Sequence, residues 1–570
     1  MYRKGLASIK IACIALMLSS CHSHDGGSGG GATQPDVSEQ GKLTTATPIK
    51  HLVVIFGENE SFDHYFGTYP QAANPTGEPV FTAASGTPQV NGYQRTPSLL
   101  TANPNTTNAA NLAKVSDKSQ LNPFRLDRAQ FDTQSQNHAY TPEQLATDNL
   151  KMDAFVANTG KGTAGGAGAF GTAAQVMGYF DGNTVTAMWN YAQNFAMNDN
   201  MFTDSFGPST PGALNVISGT TSGADKLIAG DTIADGQGAF TMINDGDPAG
   251  DVCSNTAVAT TMAGKNIGDL LNAAKISWGG FMGGFDLTAK NANGTGGSTD
   301  PTIGCKRSTV SPNTNRTVVD YIPHHAWFQY YASTENKKHN RPSSVAMIGH
   351  TETTDAPGAD AAVNHQYDYN DFVASVSAGN FASVSYIKAP AFQDAHPGNS
   401  NPLDEQAFVA KVINFLQQQP DWKNTAVIVA YDDSDGWYDH QAPNILNASF
   451  DTAADQVTSP GVCNGPNAKP AIGVNGKAVN GRCGPGTRIP FLLISPYAKV
   501  NYVDSTPLTQ ASIVRFIEDN WLNGQRLGGG SDDATAGSIL PMFDFNATPH
   551  TTPLFIDPTS GTKTATAPTS

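Results

Sequence analysis

The sequence predicts an α/β fold in which an open sheet lies between layers of helix and long loops are inserted, and three observations carry this. Residues 52–55 (LVVI) and 426–430 (AVIVA) are short, uninterrupted aliphatic runs, the pattern of strands buried on both faces. Residues 404–418 and 508–521 repeat apolar side chains on one helical face, as helices packed on a sheet do. Oxygen-bearing side chains follow both aliphatic runs, at the sheet edge where α/β sites form.

The first run closes at Gly57, and Glu58 and Asn59 come directly after it. A carboxylate beside an amide oxygen suits a hard divalent cation, although the same pair can simply open a solvated turn. Residues 70–130 are rich in Pro, Thr, Asn and Gln without periodicity, and read as an excursion over the sheet edge that shapes the substrate mouth. His138 precedes a helix expected to start at Pro142 with Thr141 as its cap. Residues 157–172 lack the GxxxxGK[ST] spacing of a phosphate loop and read as a mobile glycine-rich loop.

The segment TAMWNYAQNF reads as a helix. After it, Gly207 and Pro208 force a turn, and Pro211 suits the first turn of a helix through ALNVI. Ser209 then stands at a helix amino terminus, where free N–H groups and the helix dipole stabilise an anion. The same position is equally that of an ordinary cap, filled by Ser209 or Thr210.

Residues 274–283, SVAMIG (344–349) and FASVSYIKAP (381–390) are further strand candidates. Adjacent His324 and His325 point in different directions on any regular element, so one can face a pocket while the other faces solvent. His396 lies in the loop before the helix at 404–418. The second aliphatic run ends in Asp432 and Asp433, and two carboxylates at one strand end are costly unless a cation neutralises them. Asp435, Asp439 and His440 follow as supporting groups. A last core strand is expected in RIPFLLISPYAK, and the Thr- and Pro-rich residues 548–570 read as a frayed tail.

Composition bounds the function. With 49 acidic and 33 basic residues and a net charge of −16, the chain repels polyanions, so a broad nucleic-acid interface is excluded. The 57 Gly and 35 Pro with only 14% charged residues suit a loop-rich exported enzyme. Arg3 and Lys4 before an apolar run at 9–18 form a signal peptide over residues 1–20. The run closes in LSSC, which resembles a bacterial lipobox and implies a lipid on Cys21, with residues 21–47 as a flexible tether. An ordinary signal peptide cut nearby is the alternative. Four of the six cysteines then remain, three pairings are open, and Cys253–Cys305 with Cys463–Cys483 is favoured because each pins one Gly/Asn/Pro-rich insertion.

IKHLVVIFGENESFDHYFG, FGPSTPGALN and AVIVAYDDSDGWYDH together resemble the bacterial phosphoesterase family of acid phosphatases and non-haemolytic phospholipases C. The last two motifs are closer to the phosphatase branch, and the resemblance covers about residues 48–545. It implies an alkaline-phosphatase-like three-layer α/β/α sandwich as one catalytic domain over 48–547. It also implies a divalent metal of unstated identity on Glu58, Asn59, Ser209, Asp432 and Asp433, with Ser209 as nucleophile. His138, His396 and one of His324 and His325 would surround the phosphoryl oxygens. The expected activity is an acid phosphatase acting on small phosphomonoesters, exported as a periplasmic or outer-membrane-anchored lipoprotein of a bacterium. The alternatives are a phospholipase C and a non-catalytic surface binding lipoprotein.

Overall fold

The computed structural model describes residues 38–291, 297–351, 361 and 364–568, so the signal peptide, Cys21 and most of the tether lie outside the described residues. The main sheet uses strands β1 (His51–Gly57), β2 (Ala196–Asn198), β3 (Trp278–Met282), β4 (Gln366–Asp368), β5 (Val384–Lys388), β6 (Thr425–Tyr431), β7 (Phe491–Ile494) and β8 (Tyr502–Asp504). Their spatial order is β4-β3-β5-β1-β6-β7-β2-β8. All neighbours pair in parallel except β7, which runs against both β6 and β2. The reversal brings the residues that precede β7 to the edge where the other strands end.

The helices of two turns or more that matter here are α1 (Tyr140–Thr147), α2 (Thr186–Asn194), α3 (Ser209–Ser218), α4 (Ile267–Ala274), α5 (Tyr369–Ser377), α6 (Pro402–Gln417) and α7 (Ala511–Trp521). Side-chain direction separates the layers. Tyr386 of β5 donates its hydroxyl to Val216 of α3, whereas Tyr431 of β6, on the opposite face, donates to Glu405 of α6. α3 packs with α4 and α7, α2 packs with α6, and β1 and β6 are buried along their whole length. The result is the expected layered α/β core, with the sheet between two helical layers. Two disulfides close insertions, Cys253–Cys305 and Cys463–Cys483, the favoured pairing.

Several local expectations are corrected. SVAMIG is a short 3-10 turn at Val345–Met347: the Val345, Ala346 and Ile348 carbonyls accept from the Asn380 side chain, and only Gly349 O meets β3, accepting from Trp278 N. Thr141 does not cap α1; the helix starts at Tyr140, and the Thr141 hydroxyl donates to Ala454 O instead. The stretch 38–47 is not a tether: Ser38 is buried against His51 and Asp421, and Ala46 and Thr47 bond to Asn520. The carboxyl tail is not frayed through residue 568. Phe555–Ile556 pairs with Lys563–Thr564, and buried Ile556 exchanges two backbone hydrogen bonds with the Asn414 side chain of α6. Its Phe-Ile pair supplies the apolar anchor that the surrounding Thr and Pro hide in a composition count. The loop at 157–172 is also held: Gly162 and Gly171 touch backbone to backbone where a Cβ would clash, and Lys161 N donates to Gln136.

Among the described residues no helix is long and apolar enough to cross a membrane.

Candidate active site

β1 and β6 pair in register from His51↔Thr425 to Gly57↔Tyr431, so the residues that follow each strand leave the sheet side by side. Asn59 N donates to Asp432 Oδ1 at 2.9 Å, and Glu60 N donates to the Asp433 carbonyl at 3.0 Å. Asn59 sits at φ 62° and Asp435 at φ 55°, left-handed conformations that Asn and Asp tolerate better than most residues. That turn aims the two short side chains into one space.

α3 delivers Ser209 to the same space. The helix is capped by Pro208 with no side-chain cap bond, so neither Ser209 nor Thr210 serves as the cap. The Ser209 hydroxyl donates to Glu58 Oε2 at 2.8 Å and lies 3.4 Å from Asp433 Oδ2. Gly212 lets the helix approach this closely: a Cβ there would stand 2.2 Å from the Asp432 carbonyl oxygen.

His138, His324, His325 and His396, the histidines expected around the phosphoryl oxygens, gather here. His138 Nδ1 lies 3.1 Å from Asp435 Oδ1, and its Nε2 lies 3.2 Å from the Asn59 amide nitrogen. Burial disfavours its charge, but Asp433, Asp435 and Asp245 outweigh this and hold its pKa well above the usual imidazole range. His396 donates from Nδ1 to the Pro397 carbonyl at 2.8 Å, and its ring centroid is 5.9 Å from that of His138.

The doublet divides by depth. His325 is buried, with Nδ1 at 3.3 Å from Glu58 Oε1, and burial followed by the neighbouring histidines pushes its pKa down. His324 keeps 28% of its side chain exposed, and its Nδ1 lies 3.6 Å from Asp247. Burial lowers its pKa, but Asp245 and Asp247 raise it beyond that loss.

Asp435 supports the site as expected, accepting from Asn59, Ser135 and Gln136 N. Asp439 and His440 do not. They join Asp63 around the buried Arg488 guanidinium, which the reversed β7 brings in.

Some contributors carry no signal in a motif search. Lys388 ends β5 and its ammonium lies against Glu58; burial lowers its pKa, and Asp432, Asp394 and Asp433 resist this. Asp394 is two residues before His396, and burial pushes its carboxyl up to about 8. Glu143 of α1 accepts from Gly207 N and the Ser434 hydroxyl, tying the turn before Ser209 to the loop after β6.

The donor set fits a divalent cation. Asn59 Oδ1 and Asp432 Oδ2 are buried without a hydrogen-bond partner, beside Glu58, Asp433 and the Ser209 hydroxyl. Two tighter clusters of ligand-type groups elsewhere are already satisfied. In one, Cys253 is in a disulfide and Asp251 accepts from Tyr321, Gln329 and His339; in the other, Arg488 holds Asp63 and Asp439.

The model of the phosphoesterase family matches residues 49–522. A non-hemolytic phospholipase C of Pseudomonas aeruginosa is 23% identical over 483 residues, 83% of this chain and 54% of that protein. Phospholipase C A of Mycobacterium tuberculosis is 28% identical over 182 residues, 32% of this chain and 33% of that protein. The chain thus spans about half the length of the first relative and a third of the second. Among solved structures, an alkaline phosphatase superfamily protein from Vibrio parahaemolyticus aligns with a TM-score of 0.27 at 11% identity, over 61% of this chain and 63% of that one. Murine ectonucleotide pyrophosphatase/phosphodiesterase 5 aligns with a TM-score of 0.29 at 11% identity, over 63% and 94%.

Proposed function

The chain belongs to the phosphoesterase family, and from that premise we propose that it is a metal-assisted acid phosphatase acting on small phosphomonoesters through a phosphoserine at Ser209. The observation that carries the reading is the Ser209 hydroxyl at a helix amino terminus, 2.8 Å from Glu58, with two unpartnered buried oxygens beside it.

Glu58, Asn59, Asp432, Asp433 and Ser209 would hold the cation, which when bound supplies Lewis-acid stabilisation of phosphoryl charge and lowers the pKa of the serine hydroxyl. The chain's own residues do the rest. The hydroxyl proton already points at Glu58, so Oγ is free to form a bond to phosphorus as the bond to the leaving alcohol breaks. The dipole at the start of α3 favours the anion that results, while Thr210 N already donates to Asp245 and Pro211 has no N–H. His138 and His396 stand across the space, and an imidazolium there gives its proton to the departing oxygen. Water then cleaves the phosphoserine and returns the hydroxyl.

A phospholipase C is the second reading, favoured by the names of the relatives above. Hydrolysis of p-nitrophenyl phosphate is to be compared with that of p-nitrophenyl phosphorylcholine, each beside Ser209→Ala. Preference for the monoester, lost in the variant, supports the first reading; preference for the diester selects the second. Equal rates for wild type and variant on both substrates would leave only a binding protein. The disulfides fit an oxidising compartment, and the lipid on Cys21 belongs to this proposal; radiolabelled palmitate incorporation that survives Cys21→Ser would remove it.

A further inference from the structure

Lys388 is a charged residue at the end of a strand whose other residues are core, and nothing in the chemistry above requires it. It lies two residues beyond Tyr386, so it projects to the same side of the sheet, the side on which α3 packs. Its side chain is 1% exposed. The ammonium lies against Glu58 Oε1, while the other oxygen of that carboxylate takes the Ser209 hydrogen.

The surroundings of the ammonium are those of a cation site. His325 Nδ1 is 3.3 Å from the same Glu58 oxygen and 3.8 Å from Asp394 Oδ2, a buried oxygen with no hydrogen-bond partner. The count of charge points the same way. Glu58, Asp432, Asp433 and Asp435 are each no more than 1% exposed, and buried carboxylates persist only when paired. One divalent ion balances two of them. His138 stands at the Asp435 end of the group and Lys388 at the Glu58–Asp394 end.

The geometry points to Lys388 as a built-in counter-cation that fills the place of a second metal, so the cluster takes one divalent ion per chain. This rests on the metal reading above. It is tested by titrating chelator-stripped full-length protein with Mn²⁺ and with Zn²⁺ in a calorimeter, with elemental analysis after desalting, for wild type, Lys388→Met, Lys388→Arg and Glu58→Gln. The expected result is one equivalent for wild type and Lys388→Arg. Lys388→Met is expected to take a second equivalent, or to bind the first at least about tenfold more tightly, because removing an ammonium from a ligand carboxylate frees both charge and room. Lys388→Gln replaces it if the methionine variant fails to give a cooperative melt. One equivalent at unchanged or weaker affinity in the neutral variant, or two equivalents in wild type, overturns the proposal. Loss of uptake in Glu58→Gln beside an unchanged Lys388→Met would refute this inference and leave the metal reading standing; no uptake by wild type would remove both.

Discussion

At the scale of single residues, the hydroxyl of Ser209 has acceptors on two sides and no capping duty, so its removal should cost chemistry rather than folding. Ser209→Ala is expected to lower kcat by at least about a thousandfold with an unchanged melting temperature; activity within tenfold of wild type would dismiss the nucleophile. His324 offers a test by pH. Its charge is sustained by Asp245 and Asp247 against burial, so the imidazolium is lost as pH rises through a raised pKa. Asp247→Asn removes one of those carboxylates, and the alkaline limb of kcat/KM should move to lower pH; an unmoved limb means that His324 does not titrate in catalysis. Most of these residues were legible because chemistry needs them next to an aliphatic run or a forced turn. Lys388, Asp394 and Glu143 were not, since each looks in sequence like an ordinary charged residue and acquires its role only when another strand or helix buries it.

At the scale of elements, the site depends on how closely α3 approaches the end of β6. Gly212 permits this contact, and the obstacle to a side chain is the Asp432 backbone, which cannot rotate away. Gly212→Ala should therefore shift Asp432, reducing activity more than tenfold and costing roughly 1–3 kcal/mol of stability; a fully active, equally stable variant would show that the approach is not needed. Under the sheet, Glu405 of α6 accepts from Tyr65 and Tyr431. Burial pushes its carboxyl up to about 7 from the ordinary 4.5, against those two hydrogen bonds, so folding takes up a proton here. Its contribution to stability is whole below pH 4.5 and fades as pH rises to about 7. The melting temperature of wild type should fall more steeply across that window than that of Glu405→Gln; parallel curves would contradict the protonated state. Strands β1, β5 and β6 and helices α3, α6 and α7 were readable because burial on both faces or on one stripe imposes a period. The antiparallel sense of β7, the 3-10 turn at 345–347 and the docked segments at 38–47 and 555–564 were not, because they follow from which partner is nearby rather than from any period.

At the scale of the whole molecule, a layered core holds the oxygen-bearing side chains proposed as ligands while long insertions supply the walls, and the disulfides tie those walls to the site. Next to Cys253, Asp251 accepts from Tyr321, Gln329 and His339, which bracket the segment carrying His324 and His325. The Cys483 carbonyl accepts from Phe206 N, three residues before Ser209, and Cys483 N donates to the Tyr140 hydroxyl near His138. Chain-entropy arguments give about 4 kcal/mol for the bridge that closes 52 residues and about 3 kcal/mol for the one that closes 20. Replacing Cys253 and Cys305 by serine should lower the melting temperature by a few degrees and weaken turnover through the histidine wall, while uptake of the divalent ion, whose proposed ligands lie on the core, stays at the wild-type level. Thermal melts, steady-state kinetics and calorimetry on the one double variant separate these effects. Ion binding lost together with turnover would mean that the walls, and not the sheet edge alone, hold the ligands in place.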